Sequence, residues 1–317
     1  MPCVLSFLCP LRKTTLGVLA MHTNTMMNTR YYYVADHLMA ITAPEKAFEV
    51  LSNYAPFEIP EPTGEVLLHI SVSKEERPSS DSWEHVYTDR SDEDMPRIEM
   101  YRREEEWLLC VSVYRDAPID CAMRCSADWH EVTLYPNPEN FRFAVDNAAM
   151  LVFAFATADR QTLLFHSSVT VREGKAYMFL GHSGTGKSTH SRQWLTAFED
   201  AWLLNDDNPA VRLMENGEVW VYGTPWSGKT ACYKNEKARV QALVQLAQAP
   251  ENKIARLRMT QAYPYILSSV SGLKVQPQMM DRLYESIAKL LELTPVYRLE
   301  CLPEPSAAQL CAQTCSL

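Results

Sequence analysis

The run Gly181-His182-Ser183-Gly184-Thr185-Gly186-Lys187-Ser188 constrains this chain more than any other stretch. A glycine, four free positions and then Gly-Lys-Ser is the pattern of a phosphate-binding loop. Such a loop turns successive backbone N–H groups inward around phosphate oxygens, here those of Gly181, Ser183, Gly184, Thr185 and Gly186. Lys187 then reaches the terminal phosphates and the Ser188 hydroxyl is a ligand for Mg²⁺. Ala176-Tyr177-Met178-Phe179-Leu180 reads as a buried strand ahead of the loop, and Thr189 to Phe198 as a helix behind it. The N-terminal dipole of that helix, opening at Thr189, adds to the anion site. The expected ligands are ATP and Mg²⁺.

A length of 317 residues allows two domains with separate cores. A formal net charge of −9 argues against nucleic acid or an anionic membrane as the main partner. The nine cysteines include two pairs at matching spacing, Cys121 with Cys125 and Cys311 with Cys315. Neither pair lies near a second one at zinc-finger spacing, so they read as reduced thiols of a cytoplasmic protein. Residues 1–27 hold apolar patches broken by Pro2 and Pro10, with Arg12 and Lys13 in the middle. That suits neither a signal peptide nor a membrane span. It reads as an unstructured extension ahead of a true start near Met26 or Met27.

Residues 28–140 form a β-rich N-terminal domain in this reading. Runs rich in β-branched and aromatic residues (Arg30 to Val34, Val66 to Val72, Trp83 to Tyr87, Trp107 to Tyr114, Glu131 to Tyr135) alternate with Pro, Ser and acidic clusters. The acidic stretch 91–94 and the charged run 102–106 mark solvated turns and edges. His37, His69, His85 and His130 are isolated and read as structural. Residues 141–317 form the nucleotide domain. Its first element is a buried alanine-rich helix over Val145 to Ala158. Val240, Leu243, Val244 and Ala247 form one helical stripe, and Met280, Leu283, Ile287 and Leu290 another. Val296 to Glu300 reads as a last strand and Ser306 to Cys311 as a short helix.

Three local pieces bring side chains toward Lys187. Ser167 to Val171 and Ala176 to Leu180 flank the turn Arg172-Glu173-Gly174-Lys175. Pairing outward from Val171 opposite Ala176 sets Ser168 against Phe179 and His166 against Gly181. The helix after the loop leads into Ala201-Trp202-Leu203-Leu204, which ends in Asn205-Asp206-Asp207. If that strand runs parallel to the one before the loop, both release their chains at one sheet edge, where ligands bind. Asp206 and Asp207 are then an acidic pair facing the nucleotide. A second hairpin, turned by Asn216-Gly217, returns Gly223-Thr224-Pro225-Trp226-Ser227-Gly228-Lys229 beside Asp207 and Asn208. Lys229 is a candidate contact for a phosphate or an acidic acceptor, and Trp226 a candidate for stacking on substrate or adenine.

His166, the loop with Lys187-Ser188 and the Asp206-Asp207 pair resemble the core of the HPr kinase/phosphorylase family. They also resemble the nucleotide site of ATP-dependent phosphoenolpyruvate carboxykinase, whose loop likewise reads Ser-Gly-Thr-Gly-Lys. The resemblance spans His166 to Lys229. It implies an α/β P-loop kinase domain with a mixed sheet, of the HPr kinase/phosphoenolpyruvate carboxykinase type, preceded here by the β-rich domain. It further implies an ATP-dependent kinase transferring the γ-phosphoryl group to a hydroxyl of a small molecule, a peptide or a protein serine. Asp207 would be the proton acceptor and His166 a phosphate-site residue, while Ser188 and Asp206 would hold the metal. The family's later Arg-Gly-x-Gly motif is absent from the sequence, so HPr itself is not implied as the substrate. A homo-oligomer stays open. The alternatives are an ATP-binding sensor or scaffold with little catalysis and a small carboxykinase-like enzyme.

Overall fold

The computed structural model describes residues 26–88, 97–113, 117–228, 230–272 and 276–316. Of the extension expected over 1–27, residues 1–25 lie outside the described residues, as does the acidic stretch 91–94, whereas Met27 already opens a strand. The chain is mixed α/β and divides into two units, the first running to Thr157 with Leu273–Gln276, the second holding Ala158–Gly272 and Pro277–Leu317.

The first unit is built on a nine-stranded sheet. Its strands are β1 (Met27–Val34), β2 (His37–Pro44), β3 (Glu58–Ile59), β4 (Leu68–Val72), β5 (Glu84–Thr88), β6 (Arg97–Arg103), β7 (Glu106–Ser112), β8 (Cys121–Cys125) and β9 (Glu131–Pro136), in the order β3-β1-β2-β4-β9-β8-β7-β6-β5. Alternation sets its faces. Leu68, Ile70 and Val72 are buried, whereas His69 and Ser71 point to a polar row in which Thr42 Oγ1 lies 2.8 Å from His69 Nε2. His69 Nδ1 in turn lies 3.2 Å from Glu131 Oε2 on β9.

Helix α1 (Phe141–Ala156) packs on β9 and β4 of this sheet. The helix expected at the head of the nucleotide domain therefore belongs to the first unit, and the division falls after Thr157 rather than at 140/141. The physical reason is burial on nearly every side. An alanine- and phenylalanine-rich helix needs a broad sheet face to cover it, and Asn53 further ties α1 to the first unit through a 2.9 Å bond to the buried Asp146 carboxylate.

The second unit holds β10 (Thr162–Phe165), β11 (Ser167–Arg172), β12 (Lys175–Leu180), α2 (Lys187–Ala197), β13 (Trp202–Asp207), β14 (Ala210–Leu213), β15 (Val219–Tyr222), β16 (Lys237–Gln248), β17 (Lys253–Arg256), α3 (Met259–Ser269), β18 (Val270–Ser271), α4 (Pro277–Leu293), β19 (Val296–Cys301) and α5 (Pro305–Cys315). Its ten strands run β13-β11-β12-β16-β15-β14-β10-β18, with β19 pairing both β16 and β17. One face packs Leu180, Val169, Leu243 and Val296 against Ile266 of α3 and Ile287 of α4. The other packs Phe179, Val244 and Leu299 against Trp194 of α2 and Cys311 of α5.

The stripe Val240, Leu243, Val244 and Ala247 belongs to the central strand β16, not to a helix. Both faces of β16 are buried, so the alternation that marks a one-sided strand is missing. The register also slips beside Gln241, where Ala176 pairs with Val240 but the next residue, Tyr177, pairs with Ala242. This bulge turns the two-residue repeat into a three-residue step, and Val240 and Leu243 share a face as they would on a helix.

Candidate active site

The hairpin β11–β12 closes on Glu173 and Gly174, both at positive φ, and its register sets Val171 opposite Ala176 and Ser168 opposite Phe179. His166 thus precedes β11 beside Gly181, the residue that follows β12, in the place the pairing predicts. β11 is antiparallel to both β12 and β13. The strands before the loop and before the acidic pair therefore run the same way, with β11 between them. Both release their chains at one edge.

The loop 181–186 bends through three glycines at positive φ: Gly181 at 151°, Gly184 at 81° and Gly186 at 108°. The last of these caps α2, which begins at Lys187, two residues before the expected Thr189. The first bond of the helix runs from His190 N–H to Gly186 O. Among the described residues no side chain caps this end. Its leading N–H groups therefore face the loop, as an anion site requires. Ser183 and Gly184 are exposed, while Thr185, Gly186, Ser188 and Thr189 are half-buried. Gln248, at the end of β16, donates to Gly184 O at 3.3 Å and tethers the loop from below.

Lys187 is only 9% exposed. Its ammonium donates to His166 Nε2 at 2.7 Å, to Gly181 O at 2.9 Å and to His182 O at 3.4 Å. On the far side of the imidazole, His166 Nδ1 lies 3.2 Å from Asp207 Oδ1. Burial pulls the His166 pKa below its ordinary value, against the hydrogen bond and charge of Asp207, which raise it. The ring is neutral at neutral pH. Because Nε2 accepts from Lys187, the proton of the neutral ring sits on Nδ1, on the side of Asp207. Burial likewise lowers the Lys187 pKa, and the negative charges of Asp207 and Asp206 oppose it.

Asp206 pairs with Ser168 across β11 and is 5% exposed. Asp207 pairs with Ser167 and sits at φ 156°, where residues with a Cβ are rare. The hairpin β14–β15 returns the segment 223–228 to this end of β13. Ser227 bridges to Asp207, and Gly228 N–H donates to Asp206 O at 2.7 Å. A Cβ on Gly228 would stand 3.1 Å from Asp206 O, so this approach favours glycine.

The structure thus brings His166, Lys187 and Asp207 into one chain of contacts, with Asp206 beside them. Lys229 lies outside the described residues. Trp226 is buried at 4% exposure, so it is a wall of this segment and not a stacking platform. Asn208 and Gln248 were not singled out by the sequence. An Asn next to an Asp pair and a Gln ending an apolar run carry no motif.

No cluster of three or more His, Cys, Asp or Glu side chains suited to a metal occurs among the described residues. No described helix is long and apolar enough to cross a membrane. No protein-family model and no curated protein matches the chain. Among solved structures, the chain is similar to the Hpr(Ser) kinase/phosphatase from Coxiella burnetii, with a TM-score of 0.30 and 11% identity. That match covers 49% of this chain and 99% of the other. A likeness this slight transfers no chemistry.

Proposed function

We propose that this protein is a phosphotransferase of the HPr-kinase-like, P-loop type, moving the γ-phosphoryl group of ATP to a hydroxyl. The observation that carries the reading is the unbroken contact from Lys187 through His166 to Asp207 at the mouth of a glycine-rich loop. Phosphoryl transfer asks a protein for positioning and charge neutralisation rather than covalent chemistry. The loop amides and the N-terminus of α2 receive the phosphates, and Lys187 turns from His166 to the terminal ones. Ser188 and Asp206 would hold a Mg²⁺ ion, which takes one or two protein oxygens and leaves its other positions to phosphate and water. That ion would neutralise charge on the β- and γ-phosphates.

Asp207 accepts the proton of the attacking hydroxyl. As the acceptor oxygen bonds to the γ-phosphorus, the bond to the β–γ bridging oxygen breaks and ADP leaves. The acceptor is a hydroxyl-bearing small molecule, peptide or protein.

The test incubates the protein with γ-labelled Mg-ATP and a panel of free serine, sugars and serine-containing peptides. Label is expected on one acceptor class. Asp207→Asn should keep nucleotide binding and lose transfer, because the amide cannot take the proton. Transfer at the parent rate by Asp207→Asn would refute the proton-acceptor role. Tight ATP binding without turnover on any acceptor would instead make the protein a nucleotide sensor.

A further inference from the structure

We propose that Asn208 is a positioning residue that fixes the orientation of the Asp207 carboxylate, and that Asn205 and Thr224 hold Asn208 in place for it. The kinetic part of this inference rests on the phosphotransferase reading; the structural part does not.

Asn208 is 1% exposed and is gripped at three points. Its backbone N–H donates to Asn205 Oδ1 at 3.0 Å. Its carbonyl accepts from Thr224 Oγ1 at 2.6 Å. Its side-chain Nδ2 donates to Asp207 Oδ2 at 3.0 Å. A carboxylate only accepts, so the amide nitrogen must face it, and the orientation of Asn208 is settled by its neighbour.

The supports are themselves saturated. Thr224 Oγ1 accepts from Asn205 Nδ2 at 3.2 Å and from Trp226 N–H at 3.3 Å, leaving its single proton for Asn208 O. Asn205 and Thr224 are both fully buried. Of the two carbonyls within its reach, Asn208 O at 2.6 Å is nearer than Trp226 O at 3.2 Å, so the proton goes to Asn208.

The Asp207 carboxylate is therefore engaged on both oxygens: Oδ2 accepts from Asn208 Nδ2, and Oδ1 lies 3.2 Å from His166 Nδ1. Its backbone is held as well, since Gly228 engages the residue before it and Asn205 and Thr224 the residue after it. An aspartate at φ 156° persists when its surroundings over-determine it. With Oδ2 fixed, Oδ1 faces His166 Nδ1, and that contact keeps Nε2 free to accept from Lys187. Asn208 thereby acts through Asp207 on the whole chain of contacts.

The test reads the His166 ring in the nucleotide-free full chain by long-range ¹H–¹⁵N correlation. The parent protein should show the Nδ1–H tautomer. Asn208→Leu keeps the branched outline of the side chain and removes the donor. Thr224→Val acts one step further out and serves if the first variant folds poorly. In either, His166 should move to a mixture of tautomers while the melting curve stays cooperative. In turnover, Asn208→Leu should lower kcat and leave the KM for ATP unchanged. An unchanged Nδ1–H tautomer in both folded variants overturns the inference. If the parent protein bound no Mg-ATP, the phosphotransferase reading would fall, and the tautomer shift would still decide the role of Asn208.

Discussion

At the scale of single residues, His166 and His190 meet opposite surroundings. His166 has a cation on one nitrogen and a carboxylate at the other. His190 has neither: its Nε2 accepts from Trp194 Nε1 at 3.1 Å, and Phe179 stands edge-on 4.6 Å away. Burial pulls the His190 pKa down from 6.5 to about 4. The unfolded chain therefore takes up a proton at this residue before the folded one does. Its contribution to stability is complete above the unfolded value of 6.5, is lost as pH falls toward about 4, and stays level below. His190→Gln keeps an acceptor for Trp194 and removes the titration. Denaturant melts across this window should show a shallower loss of stability in the variant. An identical slope would mean that His190 is protonated in the fold.

At the scale of elements, the edge that carries the centre depends on backbones approaching where no side chain fits. A Cβ on Gly223, at the exit of β15, would stand 2.0 Å from Lys234 O. Gly223→Ala must push two backbones apart, and overpacking of that kind costs about 1–3 kcal/mol. Thermal melting should report the loss, and an unchanged midpoint would mean that the segment after β15 adapts freely. The elements also explain what could be read in advance. The hairpins turned by Glu173-Gly174 and Asn216-Gly217 were legible because tight turns set register, and register placed His166 beside Gly181. The end of β13 was legible because a strand, loop and helix return the chain in the same direction. β16 was not, since two-sided burial and a bulge at Gln241 imitate a helical repeat. Asn205, Asn208 and Thr224 were not legible as a network either. Each is an ordinary polar residue until two distant turns bring them together.

At the scale of the whole molecule, every residue of the proposed centre, from His166 to Gln248, belongs to the second unit. A chain beginning at Ala158 should therefore bind Mg-ATP as the full chain does, measured by fluorescence titration. A folded fragment that fails to bind would mean that residues outside the second unit complete the site. The buried Lys187 ammonium rests on His166 and Gly181 in this structure, and in the proposed function it is held ready for a nucleotide phosphate. Titration calorimetry of Mg-ATP into the parent protein and Lys187→Ala tests it most directly. A hydrogen bond to a charged group contributes about 1.5–3 kcal/mol, so the substitution should weaken binding by roughly tenfold or more. Equal affinity in the two proteins, or no binding by the parent, would contradict it.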